Sequence, residues 1–222
     1  MLGLERYIVV TGHYGSGKTN LAVNLAVDLR KQGAPVTVVD LDIVNPYFRT
    51  ADFRKLFDEQ GITLIAPPFA NSNLDLPVLS AEVFSVFTQK EGYVIFDVGG
   101  DDAGAVALGM FRAHFERISY SMLYVINRYR YLTRTAEEAC ELLYEIEAAS
   151  RLKATGVVNN SNLARGTEAK DIAASAEFAQ QVCNTLNLPL ICTAAVRSST
   201  DELQGKVENI YPVDIYVKSV WD

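Results

Sequence analysis

The sequence predicts a doubly wound α/β fold, a mostly parallel sheet with helices on both faces. Three observations carry this. Short apolar, β-branched runs alternate with longer segments of helical period along the 222 residues. Those runs lack in–out alternation, as strands covered on both faces do. Between the first run and the first helical segment, residues 12–19 read GHYGSGKT, a glycine-rich turn from strand to helix.

The elements follow in order. RYIVVTG (6–12) reads as a buried strand, and Leu21, Leu25 and Leu29 repeat at helical spacing toward Lys31. PVTVVDLD (35–42) is the second strand. Residues 51–61 read as a helix stopped by Gly61, and 62–68 as a short strand. A helix over 77–90 precedes the strand and turn of EGYVIFDVGG (91–100). Residues 102–116 place Ala103, Ala107, Met110, Phe111 and Phe115 on one helical face, and 119–127 is a strand. Thr135 and Glu138 form a capping box before a helix to about Ser150. A strand at 154–160, a helix at 168–188 and a strand at 189–194 follow. Ser199 and Glu202 are placed to cap one more helical turn. Residues 210–218 read as a final edge strand, because Pro212 has no N–H to give a central one.

The length fits a single nucleotide-binding domain over 1–222, with 49% apolar and 21% charged residues and no low-complexity tract. A net charge of −7 disfavours non-specific DNA binding, which needs a basic surface. MLGLERYIVV lacks the basic and apolar regions of a signal peptide, and no apolar run is long enough to span a membrane. A cytoplasmic protein away from membranes is expected. Cys140, Cys183 and Cys192 form no C-x-x-C pair and read as buried thiols. The acidic face of Glu137, Glu138, Glu141 and Glu145 reads as solvated surface.

Gly12, His13, Tyr14, Gly15, Ser16, Gly17, Lys18 and Thr19 match G-x-x-x-x-G-K-[ST] in full. Such a loop turns tightly on its glycines and points successive N–H groups at phosphate oxygens. The helix N-terminus adds partial positive charge. Lys18 is placed to reach the β- and γ-phosphates, and the Thr19 hydroxyl to ligate Mg²⁺.

Two carboxylate segments complete the constellation. In YVIFDVGGDD an apolar strand ends in Asp97, placed to hold Mg²⁺ through water, and Gly100 follows in D-x-x-G, where its N–H can sense a γ-phosphate. In VVDLDIVNPYFR, Asp40 and Asp42 end the second strand. Asp42 is the better candidate to orient an attacking water, and Asp40 to fix the loop. Turn-forming acids are the alternative at each of these positions.

The phosphate loop, the D-x-D and the D-x-x-G together resemble the MinD/ParA group of deviant-Walker ATPases. That group belongs to the wider class with nitrogenase iron protein, dethiobiotin synthetase and the cobyrinic acid amide synthases. The resemblance implies a switch ATPase using ATP and Mg²⁺. It gives Lys18 and Asp42 the catalytic roles, Thr19 and Asp97 the metal, and Gly100 the second-switch glycine. Asn20 takes the position that touches the α-phosphate. GVVNN (156–160) resembles the strand ending in a purine-reading asparagine, which Asn160 fits better than Asn159, although both also fit turn formers. The N-K-x-D that reads guanine is absent, so ATP is expected over GTP.

One departure matters. The group carries a signature lysine after the first loop glycine, which reaches a partner's phosphates in a dimer. Here His13 and Tyr14 follow Gly12, and a mostly neutral imidazole does not duplicate that charge. Arg49, Arg128 and Arg130 are the candidate substitutes, with solvated surface as the alternative reading of each. A protein partner and a nucleotide-dependent homodimer are the expected assemblies, with Tyr47 and Phe48 in the first switch as the contact. A small-carboxylate-activating enzyme with a pocket from 67–77 and 100–112, and a nucleotide-gated binder with little turnover, are the alternatives.

Overall fold

The computed structural model describes residues 2–42, 53–66, 81–163 and 166–217. The strands are β1 (Tyr7–Thr11), β2 (Val36–Leu41), β3 (Thr63–Ile65), β4 (Tyr93–Val98), β5 (Tyr120–Ile126), β6 (Gly156–Asn159), β7 (Leu190–Val196) and β8 (Ile210–Val213). The helices are α1 (Lys18–Lys31), α2 (Arg54–Gln60), α3 (Ala81–Ser85), α4 (Asp102–Gly109), α5 (Arg112–Phe115), α6 (Ala136–Ser150), α7 (Ala169–Ala174), α8 (Ala176–Leu186) and α9 (Thr200–Leu203). The strands form one sheet in the order β3-β2-β4-β1-β5-β6-β7-β8. Every neighbouring pair is parallel.

The missing alternation in the strands has its cause here. On β1, Tyr7 and Val9 enter one core with Phe96, Tyr124 and the apolar faces of α4, α6 and α8. Ile8 and Val10 enter the opposite core with Ile95, Val125 and α1. Both faces of the central strands are therefore dry, and every β1 residue is buried. The three cysteines are buried, and burial pushes the Cys183 thiol up to about 11 and Cys192 up to about 12, so neither is a thiolate at neutral pH.

The chain runs from β1 to one side of the sheet and returns through β4, then runs from β5 to the other side. Loops leaving the carboxyl ends of β1 and β5 thus diverge, which opens a crevice there.

Several boundaries differ from expectation. The 102–116 helix is two helices, because Met110 and Phe111 bond to Ala107 and Leu108 three residues back. Gly109 lies there against the end of α6, where a methyl group would sit 3.0 Å from the Ala149 carbonyl. The 168–188 helix breaks at Ser175. Its hydroxyl donates to Ile172 O and accepts from the buried Asn159 amide, so a tertiary bond fixes the break. Within the described part of 77–90, α3 gives way to a tighter turn over Val86–Thr88. Ser199 makes no side-chain cap; Thr200 Oγ1 donates instead to Arg197 O. The Thr135–Glu138 capping box forms as expected, with Glu137, Glu138, Glu141 and Glu145 exposed. Pro212 does lie on an edge strand, but β8 ends at Val213 rather than 218.

Candidate functional site

The loop after β1 wraps the first turn of α1. Gly17 caps the helix with φ 90°, a conformation glycine adopts without strain, and any side chain there would collide with the Asn160 amide. Ser16 N–H bonds to His13 O at 3.1 Å and closes the loop. The first intrahelical bond runs from Leu21 N–H to Gly17 O at 3.0 Å, so the positive end of the helix opens into the loop.

Lys18 Nζ lies inside the loop, donating to His13 O at 3.0 Å. Burial lowers its pKa, against the pull of Asp97, Asp42 and Asp101. On β4, Asp97 accepts from Thr19 Oγ1 at 2.8 Å through Oδ2. Among the described residues its other oxygen, Oδ1, is buried without a hydrogen-bond partner, as is Ser16 Oγ. Burial, reinforced by the neighbouring Asp40, pushes the Asp97 carboxyl up to about 8, against Lys18 and the Thr19 hydrogen bond. Asp40 stands opposite Asp97 in the β2–β4 register, and Asp40 Oδ1 accepts from Asp42 N–H at 2.9 Å. Asp40 therefore shapes the turn, as expected of it, and Asp42 projects past it. A methyl group on Gly99 would sit 3.2 Å from Asp42 Oδ1, so Asp42 reaches the second glycine loop.

Gly100 closes the crevice from the β4 side. A methyl group there would lie 2.6 Å from Tyr14 N and 2.7 Å from Lys18 Nζ. From the β6 side, Asn160 Nδ2 donates to Ser16 O at 2.7 Å. Asn159 turns inward instead, to Ser175 and the Ser161 N–H. His13 is half-buried; its Nδ1–H donates to Tyr14 O at 2.8 Å. Burial lowers its pKa, with Lys18 and Arg130 adding to the effect, so the ring is neutral at pH 7.

Lys18, Thr19, Asp42, Asp97, Gly100 and Asn160 thus converge at one crevice from four segments of chain. The side chain of Asn20 points its bonding elsewhere. Its amide donates to Asp214 O at 3.0 Å and its oxygen accepts from Tyr216 N–H at 2.8 Å. Asn24, one turn on, donates to Asp214 O and accepts from Asp214 N–H. Contact of Asn20 with an α-phosphate would fall to its backbone N–H. Sequence reading did not single out this tie. Its local signal is two asparagines at i,i+4, Asn24 lying within the otherwise apolar run 21–27. Of the candidate arginines, Arg128 Nη1 donates away from the loop to Ala174 O, while Arg130 Nε donates to Gly15 O at 2.8 Å. Tyr47, Phe48 and Arg49, and 67–77 of the alternative pocket, lie outside the described residues.

Among the described residues no group of three or more acidic, histidine or cysteine side chains forms a metal cage. Mg²⁺ does not require one. It keeps several waters and takes one or two protein oxygens plus phosphate. Thr19 Oγ1 and the orphaned Asp97 Oδ1 are hard oxygen donors that fit this mode.

A glycine-rich loop between β1 and α1, a buried lysine, and a hydroxyl–carboxylate pair at the carboxyl edge of a parallel sheet define a P-loop NTPase fold. The chain belongs to the CobQ/CobB/MinD/ParA nucleotide-binding domain family, whose model matches residues 7–172. A comparison with curated proteins found no match. Among solved structures, chloroplast FtsY from Physcomitrella patens aligns at TM-score 0.59 and 18% identity, over 87% of this chain and 60% of that one. The signal recognition particle 54 kDa protein of Aeropyrum pernix K1, in complex with GDP, aligns at 0.57 and 16%, over 84% and 40%. The cell division protein FtsY of Thermotoga maritima aligns at 0.52 and 18%, over 83% and 59%. These likenesses concern the fold, and the chain spans less than two thirds of the length of each.

Proposed function

We propose that this protein is a Mg²⁺- and ATP-dependent switch ATPase whose slow hydrolysis controls a protein partner. The observation that carries the reading is the Thr19–Asp97 pair with its orphaned Asp97 oxygen, set beside the buried Lys18. Thr19, and Asp97 through water, would hold Mg²⁺, which would supply positive charge to the phosphate site. Lys18 exchanges its bond to His13 O for phosphate oxygen. Asp42 accepts from and orients the attacking water. Gly100, packed against Tyr14 N and Lys18 Nζ, is placed to register the terminal phosphate through its backbone.

ATP is preferred over GTP because residues 160–163 read NSNL. No carboxylate follows Asn160 to accept from a guanine. Partner control rests on position. Gly99 and Gly100 lead directly into α4, which carries the exposed Val106 and ends at the exposed Met110, so a shift of the loop moves a surface a protein can read. Nucleotide-dependent pairing of two copies and a cytoplasmic location belong to the same proposal. Among the described residues no helix is long and apolar enough to cross a membrane.

The test is hydrolysis of ATP and GTP with Mg²⁺ by the purified protein and its Lys18→Ala variant. Slow ATP turnover lost in the variant supports the reading. Equal turnover in both contradicts it.

A further inference from the structure

His13 and Tyr14 follow Gly12 in the phosphate loop, and a cationic side chain from elsewhere in the chain bonds to that loop. Arg130 arrives from the turn after β5. Its Nε donates to Gly15 O at 2.8 Å. A methyl group on Gly15 would sit 3.1 Å from that Nε and 3.2 Å from Cζ, so the guanidinium lies against the open face of the loop residue. Lys18 Nζ donates to His13 O in the same loop, so two cations bond to backbone carbonyls two residues apart.

The turn that delivers Arg130 is built rigidly. Asn127 is fully buried, and its oxygen accepts from Tyr129 N–H at 3.0 Å and Asn162 N–H at 3.2 Å. Thr133 Oγ1 donates to Asn127 O at 2.7 Å, and Arg130 N–H bonds to the same carbonyl at 3.1 Å. Arg128 N–H is held by Ser161 Oγ, and Tyr129 by the Asp171 carbonyl. Arg130 thus reaches the loop from a braced backbone, which lowers the entropy lost when its side chain engages a ligand. Nε uses one of the five guanidinium donors. Among the described residues the terminal nitrogens have no protein acceptor, and a planar fork of this kind suits phosphate oxygens.

We propose that Arg130 is a second phosphate-binding cation of this site, acting within its own chain on the polyphosphate of a bound nucleotide. This rests on the nucleotide-binding reading above and deepens it. A loop that carries its own arginine does not depend on a partner copy for its second charge. The opposing possibility is a brace only, in which Nε holds Gly15 O and the charge does nothing. The two differ in what they do to ligands with different numbers of phosphates.

The experiment is calorimetric titration of the intact protein with ATP, ADP, AMP and tripolyphosphate, each with Mg²⁺, at low and high salt. The variants are Arg130→Gln, which keeps a donor for Gly15 O but loses the charge, Arg130→Lys, and Arg128→Gln from the same turn. The expected result is a loss of about 10- to 100-fold for ATP and tripolyphosphate in Arg130→Gln. The loss is smaller for AMP, is partly restored in Arg130→Lys, shrinks at high salt, and is absent in Arg128→Gln. Wild-type affinity in Arg130→Gln overturns the proposal. So does an equal loss across all four ligands, or the same loss in Arg128→Gln, since either makes the turn and not the charge the cause. A wild-type protein that binds none of the ligands overturns the nucleotide reading itself and this proposal with it.

Discussion

The Thr19 hydroxyl donates to Asp97 Oδ2 at 2.8 Å and ties the first turn of α1 to the end of β4. The pair joins the phosphate loop and the strand-end aspartate, two signals read from the sequence, at the centre of the sheet. Among the described residues it also leaves Asp97 Oδ1 buried and unpartnered, a cost of roughly 1–3 kcal/mol that a hydrated cation would relieve.

Thr19→Val removes the hydroxyl and keeps the shape. The variant is expected to need roughly tenfold or more Mg²⁺ for half-maximal nucleotide binding, while Thr19→Ser stays near wild type. Magnesium titrations at fixed nucleotide measure this. An unchanged requirement in the valine variant would remove Thr19 from the metal.

Asp97→Asn should stabilise the metal-free protein while abolishing Mg²⁺-dependent turnover. The folded-state pKa is raised to about 8, so the native state holds a proton that the unfolded chain releases above about 4. The penalty is absent near pH 4, grows as pH rises, and is complete above 8. The gain in Tm for the asparagine variant should therefore be near zero at pH 4 and several degrees at pH 8, since about 1 kcal/mol moves Tm by 2–4 °C in a chain of this size. Thermal melts without metal across that range check the trend. A gain that shrinks with rising pH contradicts it.

Gly100→Ala places a methyl group 2.6 Å from Tyr14 N and 2.7 Å from Lys18 Nζ, so the loop or the lysine must shift. Turnover should fall by roughly tenfold or more, with diphosphate affinity changed far less, because the glycine is placed against the terminal phosphate position. Steady-state kinetics beside ADP titration separate the two. Equal losses in both would make Gly100 a packing residue only.

Asn24→Ala removes bonds to Asn20 O and to both backbone groups of Asp214. The buried amide makes this a loss of about 1–3 kcal/mol by urea unfolding, with faster amide exchange at Asp214 and Tyr216. Exchange unchanged in those residues would show that the tie to α1 does not hold the segment.

The fold was legible because its signals are local. Buried strands such as YIVVT, and the Leu21–Leu25–Leu29 stripe, state their burial in a few residues. The loop and Asp97 were legible for the same reason. The break at Ser175 was not, because it depends on Asn159, sixteen residues earlier. Nor was the tie of Asn20 and Asn24 to 214–217, which joins opposite ends of the chain. Arg128 and Arg130 look equivalent in NRYRYLTR. Only the turn built on the buried Asn127 sends one to Ala174 and the other to the phosphate loop.

The most direct test of the central claim is ATP binding and hydrolysis with Mg²⁺, for wild type and Lys18→Ala, across protein concentrations and against GTP. The account predicts Mg²⁺-dependent binding of ATP over GTP with slow turnover, both lost in Lys18→Ala. Binding that survives loss of Lys18, or that ignores Mg²⁺, would contradict it.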